Sequence, residues 1–452
     1  MSGIALLLAQ RGFVVSGSDL VESGDIIVGL RAAGVVLYSG HCANNIKGVD
    51  IVVMSSAIDC NNVELQAAGC AGIRVLKRAE VLAEIMQLYG QKIAVAGTHG
   101  KTTTTGIIAN IFDSAGVEPT LVLGGQVKSS SKQVNIGAND YFITEADESD
   151  KSFLYLQPNI AVITSVDLDH MEIYSKSLHN LENAFIDFAH KVPKDGVVVI
   201  AADDVKLVEL AVKIKRRCVT YGFTAGVDFQ VIDYSFNKLQ SSFKLRVPTG
   251  EEITLVVNCP GTHNIMNAVA ATVVARQNNI DWQAIKLGLI GFSGVKRRFD
   301  YLGDVCLYQN SQPITVIDDY GHHPEAIKVT LVAARQIWPK RRVVLCFEPH
   351  KYSRLNFLLE GFIAELSKAD LLILLPVYSC GEEILNQLDS NILRSKISTK
   401  SFYSSFDDLQ QCLVNNLAPN DVLIAQGAGG ISKAIRGIFN SWLVEHKGEV
   451  VG

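Results

Sequence analysis

Apolar residues along this chain gather in short unbroken blocks, separated by longer stretches in which they recur at helical spacing. The blocks include Ile51-Val52-Val53-Met54, Tyr141-Phe142-Ile143-Thr144, Ile160-Ala161-Val162-Ile163-Thr164, Val197-Val198-Val199-Ile200 and Val343-Val344-Leu345-Cys346-Phe347. Such blocks predict strands buried on both faces, because helices must cover each side of a parallel sheet. Their alternation with helical stretches predicts an α/β fold built on parallel sheets.

Three units follow from this rhythm, with boundaries expected at residues 1–90, 91–296 and 297–452. The first opens on a helix, then offers the strand Phe13-Val14-Val15-Ser16, a helix over residues 26–33, and strands over 35–38 and 51–54. A Rossmann-like domain should instead open on a strand and a Gly-rich turn. The second unit begins with a strand over residues 92–96. The third starts after Gly294 and adds strands at Thr315-Val316-Ile317, residues 343–347, Leu371 to Leu375 and Val422-Leu423-Ile424-Ala425.

Chemistry enters at the end of the 92–96 strand, where Gly97-Thr98-His99-Gly100-Lys101-Thr102 leads into a predicted helix from Lys101. The common phosphate-binding loop has four residues between its first Gly and Gly-Lys-[Ser/Thr]; here there are two. Glycines let the backbone aim N–H groups at an anion, and a helix N-terminus adds its dipole. Lys101 supplies a point charge, and the Thr102 hydroxyl suits Mg²⁺. The string points to a nucleoside triphosphate; its other reading is a strand–turn–helix whose glycines serve packing only.

Each later strand end repeats the theme. Glu145-Ala146-Asp147-Glu148-Ser149-Asp150 follows the strand at 141–144, where a carboxylate suits Mg²⁺ and a solvated acidic loop is the alternative. Asp167-Leu168-Asp169-His170-Met171 follows the next, with His170 either a ligand for a second metal or a structural histidine. Asn264 and Asn267, three apart, share one helix face and suit either a purine edge or a helix cap. Lys296-Arg297-Arg298-Phe299 is a basic cluster that suits a triphosphate or serves as a charged linker. Asp318-Asp319-Tyr320-Gly321-His322-His323-Pro324 and Glu348-Pro349-His350-Lys351-Tyr352-Ser353-Arg354 put histidines and charges after two further strands. Such loops suit a carboxylate or an attacking amine.

Composition narrows the class. With 41 Lys+Arg against 46 Asp+Glu, the net charge of −5 favours neither nucleic acid nor an anionic membrane. Nine scattered cysteines without a C-x-x-C pair suggest reduced thiols and a cytoplasmic setting. No apolar run reaches the roughly 18 residues of a membrane span. The opening Ile4-Ala5-Leu6-Leu7-Leu8-Ala9 reads as a helix, since no cationic residue precedes it.

Seven of these strings, in this order, resemble the Mur ligase family over nearly the whole chain. They are Gly97 to Thr103, Glu145 to Asp150, Asp169-His170-Met171, His263-Asn264-Ile265-Met266-Asn267, Lys296-Arg297-Arg298-Phe299-Asp300, Asp319 to Pro324 and Pro349 to Arg354. The resemblance implies three domains: an N-terminal Rossmann-like domain for a UDP-sugar, a central P-loop ATPase-type parallel sheet, and a C-terminal Rossmann-like domain. It is strongest to members that use ATP to join L-alanine to UDP-N-acetylmuramate through an acyl phosphate, in peptidoglycan precursor synthesis.

Carried over by position, the resemblance implies a nucleotide site at Gly97, Thr98, His99, Gly100, Lys101, Thr102, Thr103, Asn264, Arg298, Asp319 and Tyr320. Thr102 and Glu145 would hold one Mg²⁺ and His170 a second. Ser55, Ser56, His322, His350 and Arg354 would contact the substrates, and Lys101, His170, Arg298 and His322 would take part in catalysis. The partners implied are the two small substrates, without nucleic acid or membrane insertion, in a monomer or homodimer.

Three features depart from the family pattern. The first strand and Gly-rich loop that cradle the UDP pyrophosphate are absent from a chain beginning Met1-Ser2-Gly3-Ile4-Ala5, for which a start assigned too late and a real truncation are the two readings. Lys351 stands where relatives often carry Arg, which gives up a bidentate grip on a carboxylate. Gly430 replaces an Asp. Two rival functions stay open: a related ligase that attaches a whole tripeptide to the same UDP-sugar, and a nucleotide-binding remnant without sugar binding.

Overall fold

The structure is a computed structural model that describes residues 1–445 except 21–23, 56–57, 129–133, 168, 170, 172, 176, 308–310 and 383–388. It divides into two compact units. One comprises Met1–Asp233, Lys244–Leu255 and Met266–Phe292; the other comprises Tyr234–Phe243, Val256–Ile265 and the chain from Ser293 onward.

In the first unit, the N-terminal segment forms a helix over Ser2–Gln10, as its apolar run requires. Two separate parallel pairs of strands follow, Ser16–Asp19 with Val36–Ser39 and Ile51–Met54 with Arg74–Lys77. The first strand starts later than its apolar residues suggest. Phe13 is exposed and Val14 fully so, and the ladder begins only where Val36 N–H reaches the Val15 carbonyl. Apolar side chains mark strand propensity, but cross-strand hydrogen bonds decide where the strand begins.

A ten-stranded sheet dominates the unit. Gln91–Ala96 lies between Tyr141–Glu145 on one side and Ile160–Ile163 on the other, parallel to both. The chain passes from Gln91–Ala96 through the helix Lys101–Ser114 to Thr120–Val122, returns to Tyr141–Glu145, then crosses to Ile160–Ile163. Strand order therefore reverses beside Gln91–Ala96, and at such a switch point the strand ends open a crevice for ligands. Ile93 to Ala96 are buried, as the unbroken apolar block requires. The helix Trp282–Gly291 packs on Lys101–Ser114, where Asn110 Nδ2 donates to Gly288 O over 2.6 Å.

The second unit carries a six-stranded sheet in the order Asp300–Val305, Ile314–Asp319, Val422–Gly427, Val343–Glu348, Leu371–Leu374, Ser401–Tyr403. The first strand is antiparallel to its neighbour, and the other pairs are parallel. Helices cover both faces. Ile327, Leu331, Phe362, Leu366 and Leu393 fill one side, and Leu409, Leu413, Ile431, Ile435 and Trp442 fill the other. This is the doubly wound arrangement expected of a Rossmann-like domain.

An ionic network ties the last helix, Ile431–Glu445, to this sheet. Arg436 Nε donates to Asp318 Oδ2 over 2.8 Å and its Nη2 reaches Asp300 Oδ2 over 2.5 Å, while Ser432 Oγ adds a bond to Asp318 over 2.6 Å. Asp318 is wholly buried.

Candidate functional site

The phosphate-type loop is shaped by its neighbour strand. Gly97 has φ 137°, and a Cβ there would lie 2.1 Å from Thr164 Oγ1 and 2.9 Å from Ser165 N. Thr98 N–H donates to Ser165 O and His99 N–H to Ser165 Oγ, while Thr164 Oγ1 donates to His99 O. The loop thus turns against the C-terminal end of Ile160–Ile163 and is held along its length. Gly100, with φ 81°, begins the helix. A Cβ on Gly100 would meet the Asn267 side chain at 2.5 Å, and Asn267 Oδ1 also accepts from Thr104 Oγ1 over 3.1 Å. Thr102 and Thr103 are buried in the first turn.

Lys101 turns back over the loop. Its Nζ donates to Gly97 O over 2.6 Å, to Thr98 O over 3.5 Å, and to Glu148 Oε2 over 2.6 Å. Glu148 is 3% exposed; burial raises its carboxyl pKa above the usual value, opposed by Lys101, while Asp147 nearby adds to the rise. His99 Nε2 lies 3.5 Å from Asp167 Oδ2.

The four acids of the neighbouring loop have different tasks. Glu145 ends its strand and accepts from Gly124 N over 3.1 Å. Asp147 and Asp150 accept from Ser149 N and Ser152 N, and so stabilise their own turn. Glu148 takes the lysine. Glu145 ends its strand opposite Val95 of the paired strand that runs into the loop, and is the acid of the four that neither closes its own turn nor takes the lysine. Among the described residues no three His, Cys, Asp or Glu side chains converge as a metal site. A magnesium ion held by Thr102 and Glu145 would complete its shell with phosphate oxygens and water, as it commonly does. His170 and Ser56 lie outside the described residues, while Ser55 accepts from Ile58 N just after its strand.

The second unit gathers the remaining candidates at the C-terminal edge of its own sheet. Arg297 and Arg298 both lie over the Tyr320 ring, 4.7 and 5.0 Å from its centre. Tyr320 meets His322 edge-on at 5.2 Å, His322 lies 5.0 Å from His350, and His350 stacks on Tyr378 at 5.6 Å. Arg354 Nη1 donates to His350 Nδ1 over 2.8 Å, which favours a neutral ring with its proton on Nε2. The row of cations, imidazoles and phenols suits an anionic or amine-bearing ligand.

Two candidates have structural work in this unit. Asp319 accepts from Phe299 N, Gly321 N and Gln426 Nε2, so its carboxylate folds the basic loop beside it. Asn264 Nδ2 donates to Pro260 O over 2.7 Å at the start of its helix, Thr262–Gln277. At the substituted position, Gly430 N–H donates to the buried Glu348, which also accepts from Ile431 N at the N-terminus of the helix Ile431–Glu445. Lys351 sits at φ 67° with its N–H on Tyr378 O.

Sequence reading gave no role of their own to Glu148, Ser165 and Tyr378, while Asn267 and Arg297 stood in the motifs it singled out. Glu148 stood within the quoted acidic motif, close in kind to a partner for the loop lysine. Ser165 acts through its backbone and hydroxyl, and Tyr378 lies in no motif.

The family model described as "Mur ligase family, catalytic domain" matches residues 1–89, "Mur ligase middle domain" matches 95–275, and "Mur ligase, glutamate ligase domain" matches 297–429. The fold is similar to that of UDP-N-acetylmuramate-alanine ligase from Thermotoga maritima, with a TM-score of 0.80 and 25% identity over 98% of this chain and 97% of that one. A murein peptide ligase from Psychrobacter arcticus is similar with a TM-score of 0.70 and 24% identity, covering 100% of this chain and 97% of that one. A MurF ligase from Thermotoga maritima, solved in complex with ADP, has a TM-score of 0.65 and 14% identity, covering 89% and 97%.

Proposed function

The chain belongs to the Mur ligase family of ATP-dependent amide ligases of peptidoglycan precursor synthesis, and from that premise we propose that it joins L-alanine to the lactyl carboxylate of UDP-N-acetylmuramate. The observation that carries the choice is the end-to-end match to an alanine ligase, closer in fold than the match to a murein peptide ligase. Residues 1–90 would receive the UDP-sugar, 91–296 the ATP, and 297–452 the amino acid. All nine cysteines are free, which suits a reaction in the reducing cytoplasm. Among the described residues no helix is long and apolar enough to cross a membrane.

In the proposed reaction the carboxylate takes the γ-phosphoryl group of ATP, and the amine of alanine attacks the acyl phosphate and expels phosphate. The protein's part is to position groups and neutralise charge. The turn at Gly97 to Gly100, the N-terminus of the helix that follows it and the Lys101 ammonium would surround the phosphates. Magnesium at Thr102 and Glu145 would screen phosphate charge. Ser55 and Ser56 would contact the UDP-sugar, and His170 is the residue assigned to a second ion. Arg298, Asn264, Asp319 and Tyr320 would border the nucleotide, Asp319 by shaping the basic loop. His350 and Arg354 would face the amino acid, with His322 beside them at the reacting groups.

Phosphate release is measured with ATP, UDP-N-acetylmuramate and either L-alanine or the tripeptide. Release with L-alanine alone is expected, and Lys101→Ala should abolish it while circular dichroism stays unchanged. Preference for the tripeptide refutes the choice of substrate. Nucleotide binding without release in either mixture identifies a binding remnant.

A further inference from the structure

Lys101 has three N–H donors, and three acceptors already face them: Gly97 O, Thr98 O and Glu148 Oε2. The two oxygens at 2.6 Å form the close contacts, and only Glu148 is charged. A loop built for phosphate thus contains its own anion, bonded to the group that a phosphate would need.

Glu148 is not a surface acid that happens to be in reach. It is 3% exposed, against 17% for Lys101. Its backbone is anchored: Tyr174 Oη donates to Glu148 O over 2.6 Å, and Lys151 N–H donates to the same oxygen. The turn around it is closed by Ser152 Oγ and Phe153 N on Asp147 O. A carboxylate this buried is stable as an ion only while a cation faces it. Any ligand that draws Lys101 away leaves Glu148 buried without its cation and close to the new negative charge.

We propose that Glu148 is an internal competitor for Lys101, the anion that the nucleotide's phosphates must displace, so that it limits nucleotide affinity and favours ADP release. The proposal rests on the reading of Gly97 to Thr102 as a nucleotide loop. It assigns Glu148 a positioning role that acts through Lys101 rather than through contact with substrate. It also predicts an unusual sign, since removing a buried, paired acid should strengthen binding.

Calorimetry of Mg·ADP binding to the full chain tests this with two variants. Glu148→Gln keeps the shape and removes the charge; it is expected to tighten binding at least tenfold, which corresponds to about 1.4 kcal/mol. Glu148→Asp keeps the charge but withdraws it from Lys101, and an intermediate gain is expected. Thermal unfolding of each variant checks the fold, and Glu148→Asp carries the test if Glu148→Gln does not fold. Wild-type binding with unchanged or weaker binding by the folded variants overturns the proposal alone. A gain for Glu148→Gln without any gain for Glu148→Asp also overturns it, because simple charge repulsion then suffices. No binding by wild type or variants overturns the nucleotide-loop reading and the proposal with it.

Discussion

Replacing Gly97 by Ala should damage the phosphate-type loop more than a glycine substitution ordinarily does. Two costs combine. The backbone at φ 137° is one that L side chains rarely adopt, and holding a non-glycine residue there costs about 1–2 kcal/mol. The new Cβ would also lie 2.1 Å from Thr164 Oγ1 and 2.9 Å from Ser165 N. Thr164 cannot simply rotate away, because its hydroxyl donates to His99 O, with Ala96 O the other acceptor in reach at 3.2 Å. Ser165 is backbone that receives Thr98 N–H. Forcing such a site apart costs about 1–3 kcal/mol more, for a total of about 2–5 kcal/mol. Gly116 provides the control, since its φ is 72° and a Cβ there meets nothing within 4 Å. Gly116→Ala should therefore carry only the backbone cost of about 1 kcal/mol. Denaturant unfolding followed by circular dichroism measures both variants, with Mg·ADP calorimetry beside it. Gly97→Ala should lose about 2 kcal/mol more than Gly116→Ala, together with nucleotide binding. Equal losses in stability, or wild-type nucleotide affinity in Gly97→Ala, refute the reasoning.

The remaining predictions concern other parts of the chain. Arg436→Leu leaves the fully buried Asp318 without its cation and should destabilise the C-terminal unit by about 3–5 kcal/mol; a double variant with Asp318→Asn should recover much of that loss in the same unfolding assay. Burial raises the Glu348 pKa above the usual value, partly offset by the N–H groups of Ile431 and Gly430. A raised carboxyl pKa makes the folded state hold its proton longer, so this contribution is full below the usual carboxylate pKa and is lost as pH rises through the raised one. Unfolding free energies measured from pH 4 to 8 should therefore fall less with rising pH in Glu348→Gln than in the wild type. Arg354→Lys gives up the bond to His350 Nδ1 and should raise the KM for L-alanine about tenfold with the KM for ATP unchanged; equal changes in both would remove Arg354 from the amino-acid site.

The parallel sheets were legible in the chain because strands covered on both faces need unbroken apolar blocks, and Ile160–Ile163 and Val343–Glu348 form where such blocks stand. The loop at Gly97 was legible for a similar reason. Positive φ angles call for glycine, and a lysine after the second glycine at the mouth of a helix meets one chemical need. Phe13-Val14-Val15 misled, since an apolar run does not say which N–H groups find partners.

Side-chain identity placed four acids in a row after Tyr141–Glu145 and went no further. Only the tertiary structure assigned them: Asp147 and Asp150 to their own turn, Glu148 to Lys101, and Glu145 to Gly124 N. Likewise only the fold brought Phe299 N, Gly321 N and Gln426 Nε2 to Asp319. The physical reason is range. An unbroken apolar block and a glycine where positive φ is needed are local features of the chain, so the sequence carried them. The partner of a charged group depends on which distant segment the packing delivers within about 3 Å, and the chain order of the residues does not contain that distance.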